Sequence, residues 1–193
     1  MKIKCSLKLL KVCRAIVCVT VIACIASAIP FVSNAVVQTT SCEIDGVLQR
    51  RNDWCWAACA EICGKTSNED SDRTQADVVA YICGDAEVQW GSISDASDGA
   101  TYVAYGYDLW QSTSSTKSFS AITQYIAAGH PVATGINDDG DHMVVVYITQ
   151  YIDNSSGVFY YLDYYDPYNG RTIHITYDDF CDELEYCATA YCS

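Results

Sequence analysis

Hydrophobic and polar positions along the 193-residue chain fall into two regimes. From residue 55 to about residue 130 the apolar residues recur at helical spacing. Beyond that they run in β-branched and aromatic stretches separated by turn residues. Cys55 to about Gly64 is apolar and Ala-rich and reads as a helix that Gly64 stops. Lys65 to Arg73 is a polar loop. Thr74 to Cys83 reads as a second helix, with Val78, Val79 and Ile82 on one side and Gly84 as its stop. Residues 85–117 mix Gly, Ser and Asp with isolated aromatics, among them Trp90, Tyr105, Tyr107 and Trp110, and read as loops and short turns. Aromatics placed so serve as lids over a core or as walls of a substrate site. Ser118 caps a third helix, Phe119 to Ala128, which Gly129 and Pro131 close.

The sheet half follows. Pro131–Asn137, His142–Ile152, Val158–Tyr165 and Arg171–Tyr177 read as four strands. Asp138-Asp139-Gly140-Asp141, Asp153-Asn154-Ser155-Ser156-Gly157 and Asp166-Pro167-Tyr168-Asn169-Gly170 supply the turns between them. Strands joined in succession by short turns form an antiparallel meander. Helices followed by a sheet make an α+β fold. Residues 36–48 read as a short lead-in, and the tail from Asp178 to Ser193 holds a short helix and three cysteines.

Residues 1–35 stand apart. Lys2, Lys4, Lys8, Lys11 and Arg14 precede an apolar run from Ala15 to Ile29, and Ser33-Asn34-Ala35 has the small-x-small form of a cleavage site. This is the pattern of a secretory signal peptide. It leaves 36–193 as one domain, expected to be secreted. The run is shorter than the ~20 apolar residues of a membrane span, and Pro30 interrupts its end. An alternative is a lipobox at Val21-Ile22-Ala23-Cys24 with Cys24 lipidated, but the chain stays apolar after Cys24.

Of 11 basic and 24 acidic residues, five basic and no acidic ones lie before residue 36. The remainder carries 6 basic and 24 acidic residues, a net charge of −18. Such a surface argues against nucleic-acid binding, which needs Lys and Arg for phosphates, and suits a soluble secreted protein. Four cysteines (Cys5, Cys13, Cys18, Cys24) leave with the leader; Cys42, Cys55, Cys59, Cys63, Cys83, Cys181, Cys187 and Cys192 remain. An oxidising compartment predicts that most of these are paired. Cys59 and Cys63 share one side of a helix and Cys83 ends the next, which suggests a bond between those helices. The x3 spacing of Cys59 and Cys63 departs from the x2 of zinc ribbons and fingers. No metal and no cofactor is expected.

Cys55 heads the first helix, where unpaired N–H groups and the positive dipole end favour an anion. A nucleophilic cysteine needs a base, and the base needs an orienter. The chain has three histidines. His130 lies in the turn Gly129-His130-Pro131, and His174 sits inside the last strand. His142 opens the longest apolar strand and has the best position for a base. Asp166 begins the turn after the following strand. If those two strands pair as a hairpin, His142 and Asp166 lie at the same end of the sheet. Asp163 is the alternative orienter, but three residues earlier it points to the opposite face. Gln49, six residues before Cys55, can donate its amide to an oxyanion beside the backbone N–H of the nucleophile. Singly, these have plainer readings: a hairpin histidine, a turn-starting Asp-Pro and a loop glutamine.

Together, Gln49-x5-Cys55-Trp56, then Gly135…His142-Met143-Val144-Val145-Val146, then Tyr165-Asp166-Pro167, resemble the papain-like cysteine peptidases. The closest likeness is to their compact bacterial branch, the double-glycine-peptidase-like secreted enzymes and papain-like effector peptidases. The resemblance covers about residues 42–177. It implies a papain-like fold with a helical half carrying Cys55 and a sheet half carrying His142 and Asp166. It also implies a peptide or protein substrate. Cys55 would be the nucleophile, His142 the base and then acid, Asp166 the orienter and Gln49 the oxyanion donor. The Cys55–His142 interval of 87 residues is far shorter than the ~130–150 of the larger papain relatives, and Asp stands where Asn is usual. Two other readings compete. One is a transamidase or cell-wall amidase using the same residues, although Val144, not Trp, lies two residues after His142. The other is a non-catalytic, disulfide-stapled binding module.

Overall fold

A helix without a polar face has to be covered on all sides. Helix α1, Cys55–Ser67, is such a helix: Cys55 through Gly64 are all buried. In the computed structural model, which describes residues 35–84, 90–136 and 142–192, α1 packs between two further helices and the sheet. These helices are α2, Gln75–Cys83, and α3, Ile93–Val103. The expected leader lies, Ala35 apart, outside the described residues, and so does the expected turn over 138–141. Small residues let α1 and α3 approach closely. A Cβ on Gly64 would stand 2.4 Å from the Cβ of Val103 and 2.7 Å from the carbonyl oxygen of Ala100. Gly99 faces Ala60 and Val78 in the same way. Glu61 is the one acidic residue inside α1, and it is 3% exposed. Lys65 Nζ reaches it at 2.6 Å and the Gln75 backbone N–H at 2.9 Å, so the buried charge is paired.

Helix α3 corrects the expectation of loops over 85–117. Its start is a capping box: Ser92 Oγ accepts from the Asp95 N–H, and Asp95 Oδ2 accepts from the Ser92 N–H at 2.7 Å. Its interior of Ser, Asp and Gly has poor helix propensity, which hid it in the sequence. Tertiary burial of Ala96, Ala100 and Val103 at helical spacing holds it. Strand β2, Trp110–Thr113, occupies the same span. Trp110 is buried, while Trp90, Tyr105 and Tyr107 are exposed.

Among the described residues the sheet has seven strands rather than four. β1 (Val36–Ser41), β2 and β7 (Ala188–Cys192) join the expected meander of β3 (Val132–Ile136), β4 (His142–Asn154), β5 (Gly157–Asp166) and β6 (Arg171–Thr176). The order is β2-β7-β3-β4-β5-β6, and β1 pairs with the far half of β4. β7 escaped notice because its Ala, Thr and Cys form no branched or aromatic run. It lies between β2 and β3, where Thr189 and Ala190 are buried. Along β4, Met143 and Val145 join the cluster around α1, whereas Val144 and Val146 join the one formed by helices α4 (Phe119–Ala127) and α5 (Tyr177–Asp182). Both faces of the sheet are therefore covered by helices, and β4 reads as a continuous apolar run. The result is an α+β fold of papain-like type, helices first and antiparallel sheet after.

The eight described cysteines are all thiols. Cys59 and Cys63 are fully enclosed in the α1 core. Cys63 lies near Cys42 and Cys83 near Asp95, so the residues expected to bridge α1 and α2 face different partners. Among the described residues no helix is long and apolar enough to cross a membrane.

Gly64→Ala tests the close approach of α1 and α3. Helix propensity alone favours alanine by about 0.5–1 kcal/mol, but overpacking costs about 1–3 kcal/mol. The clash is with a β-branched carbon and a backbone oxygen, neither able to swing aside. Urea denaturation should show a net loss of about 1–2 kcal/mol. A gain in stability would mean the helices are not in contact there.

Candidate active site

Cys55 is the first residue of α1, and Trp54 at its N-cap contributes no side-chain bond. No side-chain oxygen of the cap therefore occupies the orphan N–H groups of the first turn. Arg51 folds back over the Trp54 ring at 5.0 Å, and the Trp54 N–H donates to the Arg51 carbonyl. This tight turn presents Cys55 at the edge of the core, 8% exposed.

His142 opens β4, opposite Ile136, and Asp166 closes β5, opposite Arg171. β4 and β5 run antiparallel, so the two side chains stand at one end of the sheet. His142 Nε2 lies 2.8 Å from Asp166 Oδ1. Cys55 hydrogen-bonds the same imidazole. With Nε2 on the carboxylate, Nδ1 is the nitrogen that serves the sulfur. Asp166 Oδ1 also accepts the Tyr168 N–H at 2.8 Å, and Oδ2 accepts Asn169 Nδ2 at 2.5 Å. Asn169 in turn accepts the Arg171 N–H at 2.9 Å. Its part in holding Asp166 was not foreseen. The signal was present in the turn Asp166-Pro167-Tyr168-Asn169-Gly170, where a carboxylate and an amide three residues apart can meet.

Charge follows from this geometry. Burial pulls the His142 pKa down, but the hydrogen bonds of Asp166 and Cys55 and their negative charge hold it up, at about 9. Burial pushes Asp166 up, and the bonds from His142, the Tyr168 N–H and Asn169 outweigh it, so its pKa lies below the usual carboxylate range. Asp163, the alternative orienter, bonds His174 instead, and the His174 ring stacks on Tyr161 at 5.0 Å. His130 stands 3.8 Å from Asp108. His142 hydrogen-bonds both a cysteine and a carboxylate, whereas His130 Nδ1 has no hydrogen-bond partner.

Gln49 is near this group but occupied. Its Nε2 donates to the carbonyls of Arg51 (2.9 Å) and Asn52 (2.5 Å), while its Oε1 is buried without a partner. Its backbone N–H donates to the Pro167 carbonyl at 2.8 Å, which ties the loop before Cys55 to the turn after Asp166. Gln75, 1% exposed, braces the same loop. Its Nε2 donates to the Leu48 carbonyl and its Oε1 accepts the Arg50 N–H, each at 2.9 Å, and Glu61 holds its own N–H. Gln75 and Glu61 were missed by sequence reasoning. The available signal was a glutamate inside an otherwise apolar helix, which demands a buried polar partner.

A family model described as the Peptidase_C39-like family matches residues 36–189. The chain belongs to the Peptidase_C39-like family. Among curated proteins no match is found. Membership makes the fold that of a papain-like cysteine peptidase of the C39 type, whose substrates are proteins. In this C39-type chain two adjoining hollows flank the Cys55–His142 pair. One, about 340 Å³, is lined by Asp53, Cys55, Trp56, Trp90 and Asp95. The other, about 190 Å³, is lined by Ile93, Gly135, His142, Met143 and Cys187. Gly91 and Ser92 border both. A Cβ on Gly91 would lie 2.4 Å from the Trp56 indole, so this backbone rests directly on the second residue of α1. A larger hollow of about 1180 Å³ around Cys42, Glu43 and Lys65 contains none of Cys55, His142 or Asp166.

The raised pKa of His142 fixes the sign of its linkage to stability. Its contribution is complete below the ordinary value of 6.5 and is lost as pH rises through about 9. NMR titration of the ring should give a midpoint near 9 in the native chain. Asp166→Asn should lower that midpoint and flatten the stability loss between pH 6.5 and 9. An unchanged midpoint would mean that Asp166 does not carry the shift.

Proposed function

We propose that the protein is a secreted peptidase that cleaves peptide bonds through Cys55, His142 and Asp166, with Gln49 as oxyanion donor. The observation that carries this reading is the single imidazole bonded to both a cysteine at a helix head and a buried carboxylate. The protonated ring stabilises a thiolate beside it. The sulfur attacks the substrate carbonyl, and the oxyanion is met by the Cys55 backbone N–H and the Gln49 amide. His142 then gives its proton to the leaving amine as the C–N bond breaks. A water molecule, losing its proton to His142, hydrolyses the thioester and frees Cys55. Asp166 keeps Nε2 occupied, so that Nδ1 handles both proton transfers. In this role Gln49 turns one amide hydrogen from the Asn52 carbonyl to the substrate. The signal-like leader supports secretion.

Labelling with an epoxysuccinyl cysteine-peptidase inhibitor, followed by peptide mapping, tests the proposal. One adduct on Cys55, lost in His142→Ala, is expected; an adduct elsewhere, or none, would overturn it. Peptide cleavage should vanish in Cys55→Ala. The alkaline limb of kcat/KM should fall near pH 9 and move to lower pH in Asp166→Asn.

Gln49→Ala separates two roles for that residue. An oxyanion donor predicts a loss of about 10²–10³ in kcat with an unchanged Tm. A drop in Tm with kcat retained would make Gln49 a brace for its own loop.

A further inference from the structure

At the end of the sheet away from His142, three segments meet that are far apart in sequence. β7 is antiparallel to both its neighbours, so its last residue lies beside the first residues of β2 and β3. Cys192 closes β7 and pairs with Trp110 at the start of β2. Asp108 precedes β2 by two residues, and His130 precedes β3 by two. One ligand atom from each of Asp108, His130 and Cys192 lies within 4.8 Å of the other two. His130 Nδ1 is 3.8 Å from Asp108 Oδ2, too long for a hydrogen bond. That nitrogen is buried and has no hydrogen-bond partner. A buried imidazole nitrogen facing a carboxylate and a thiol, yet bonding neither, calls for a ligand between them.

We propose that Asp108, His130 and Cys192 form a zinc site that clips the C-terminal strand to the sheet. With bonds of about 2.0–2.3 Å, tetrahedral ligands of zinc stand about 3.3–3.6 Å apart. The cluster, whose ligand atoms lie within 4.8 Å of one another, therefore needs to contract by no more than about 1.5 Å. Sulfur and imidazole nitrogen with one carboxylate suit zinc; calcium and magnesium want oxygen alone. Binding displaces the Cys192 thiol proton to solvent, so thiolate and carboxylate together neutralise the dication. A water molecule completes the tetrahedron on the side of Asp108, the most exposed of the three. The Trp110 indole, edge-on to the His130 ring at 84° with centroids 6.2 Å apart, fixes the plane of the imidazole. The site does not use the Cys59–Cys63 spacing considered from sequence, and no local motif announces it, because its residues are 22 and 62 positions apart.

The test is zinc binding by tag-free protein, measured by equilibrium dialysis and elemental analysis and repeated with cobalt for its spectrum. One equivalent of zinc, removable by chelator, with a rise in Tm on reloading, is expected. His130→Gln and Asp108→Asn should each raise the zinc Kd at least 100-fold, more than the about 10-fold lower bound for losing an outer partner. Cobalt should give a thiolate charge-transfer band that persists in Cys55→Ser and disappears in Cys192→Ser. No bound zinc, binding unchanged in His130→Gln, or zinc lost only in Cys55→Ser would overturn the proposal. A disulfide at Cys192 would do the same. The two substitutions at the half-exposed residues keep the test decisive should Cys192→Ser fail to fold.

Discussion

The burial of α1 on all sides is what the rest of the molecule depends on. Ten consecutive residues, Cys55 to Gly64, have no water-facing side. Each large side chain hidden there, such as Trp56 or Ile62, contributes about 1.5–3 kcal/mol, so the helix cannot rotate or slide without losing several such terms at once. Its head is thereby fixed against the end of β4. Glu61 extends the same constraint to polar groups. Having been buried, it must be satisfied, and the N–H of Gln75 satisfies it. Gln75, itself buried, then has to satisfy its own amide, and it does so on the carbonyl of Leu48 and the N–H of Arg50. The loop that carries Gln49 is thus held as a consequence of one acidic residue in the core helix.

The sheet imposes the second half of the geometry. An antiparallel pair brings the start of one strand to the end of the next, and β4 and β5 do this with a bulge between Val146 and Ile148. Position alone would leave the Asp166 carboxylate free to rotate. The turn behind it removes that freedom, since the Tyr168 N–H and Asn169 occupy the acceptor sites that His142 does not. The Gly170 N–H closes the turn on the Asp166 carbonyl at 2.8 Å, in a left-handed conformation (φ 71°) that glycine adopts without strain. The imidazole is then held from one side by a carboxylate that cannot turn away, and its other nitrogen is aimed at Cys55.

Much of this was legible. The four meander strands, the helices from Cys55, Thr74 and Ser118, and the meeting of His142 with Asp166 all followed from period, caps and turns. Those signals are local, and the structure used them locally. What was not legible depended on tertiary context. Helix α3 has Ser, Asp and Gly where a helix usually has Ala, Leu and Glu; its small residues are explained only by the α1 surface against which they lie. β7 has small residues because it is enclosed between two strands, and β1 gives no sign of its partner 111 residues away, at the Thr39–Gln150 level of β4. Gln75 and Asn169 are ordinary polar residues until the atoms they must satisfy are known. Gln49 was found by its spacing, but spacing does not reveal that the amide is already bonded to the loop.

The cysteines show what these two constraints achieve together. Cys55, Cys59 and Cys63 lie at successive four-residue intervals on α1 and are chemically the same group. Burial pushes the thiols of Cys59 and Cys63 well above the ordinary range, so they stay protonated and unreactive. Cys187 presents the opposite case: it is exposed and lines the hollow beside His142, with its sulfur 3.5 Å from the Gly135 carbonyl. A carbonyl neighbour does not stabilise a thiolate; a protonated imidazole does. Cys187 is the more accessible cysteine, and Cys55 is the one that hydrogen-bonds the His142 imidazole. The helix head and the sheet end together make that distinction, one by bringing Cys55 to the cleft and the other by setting the His142 imidazole beside it.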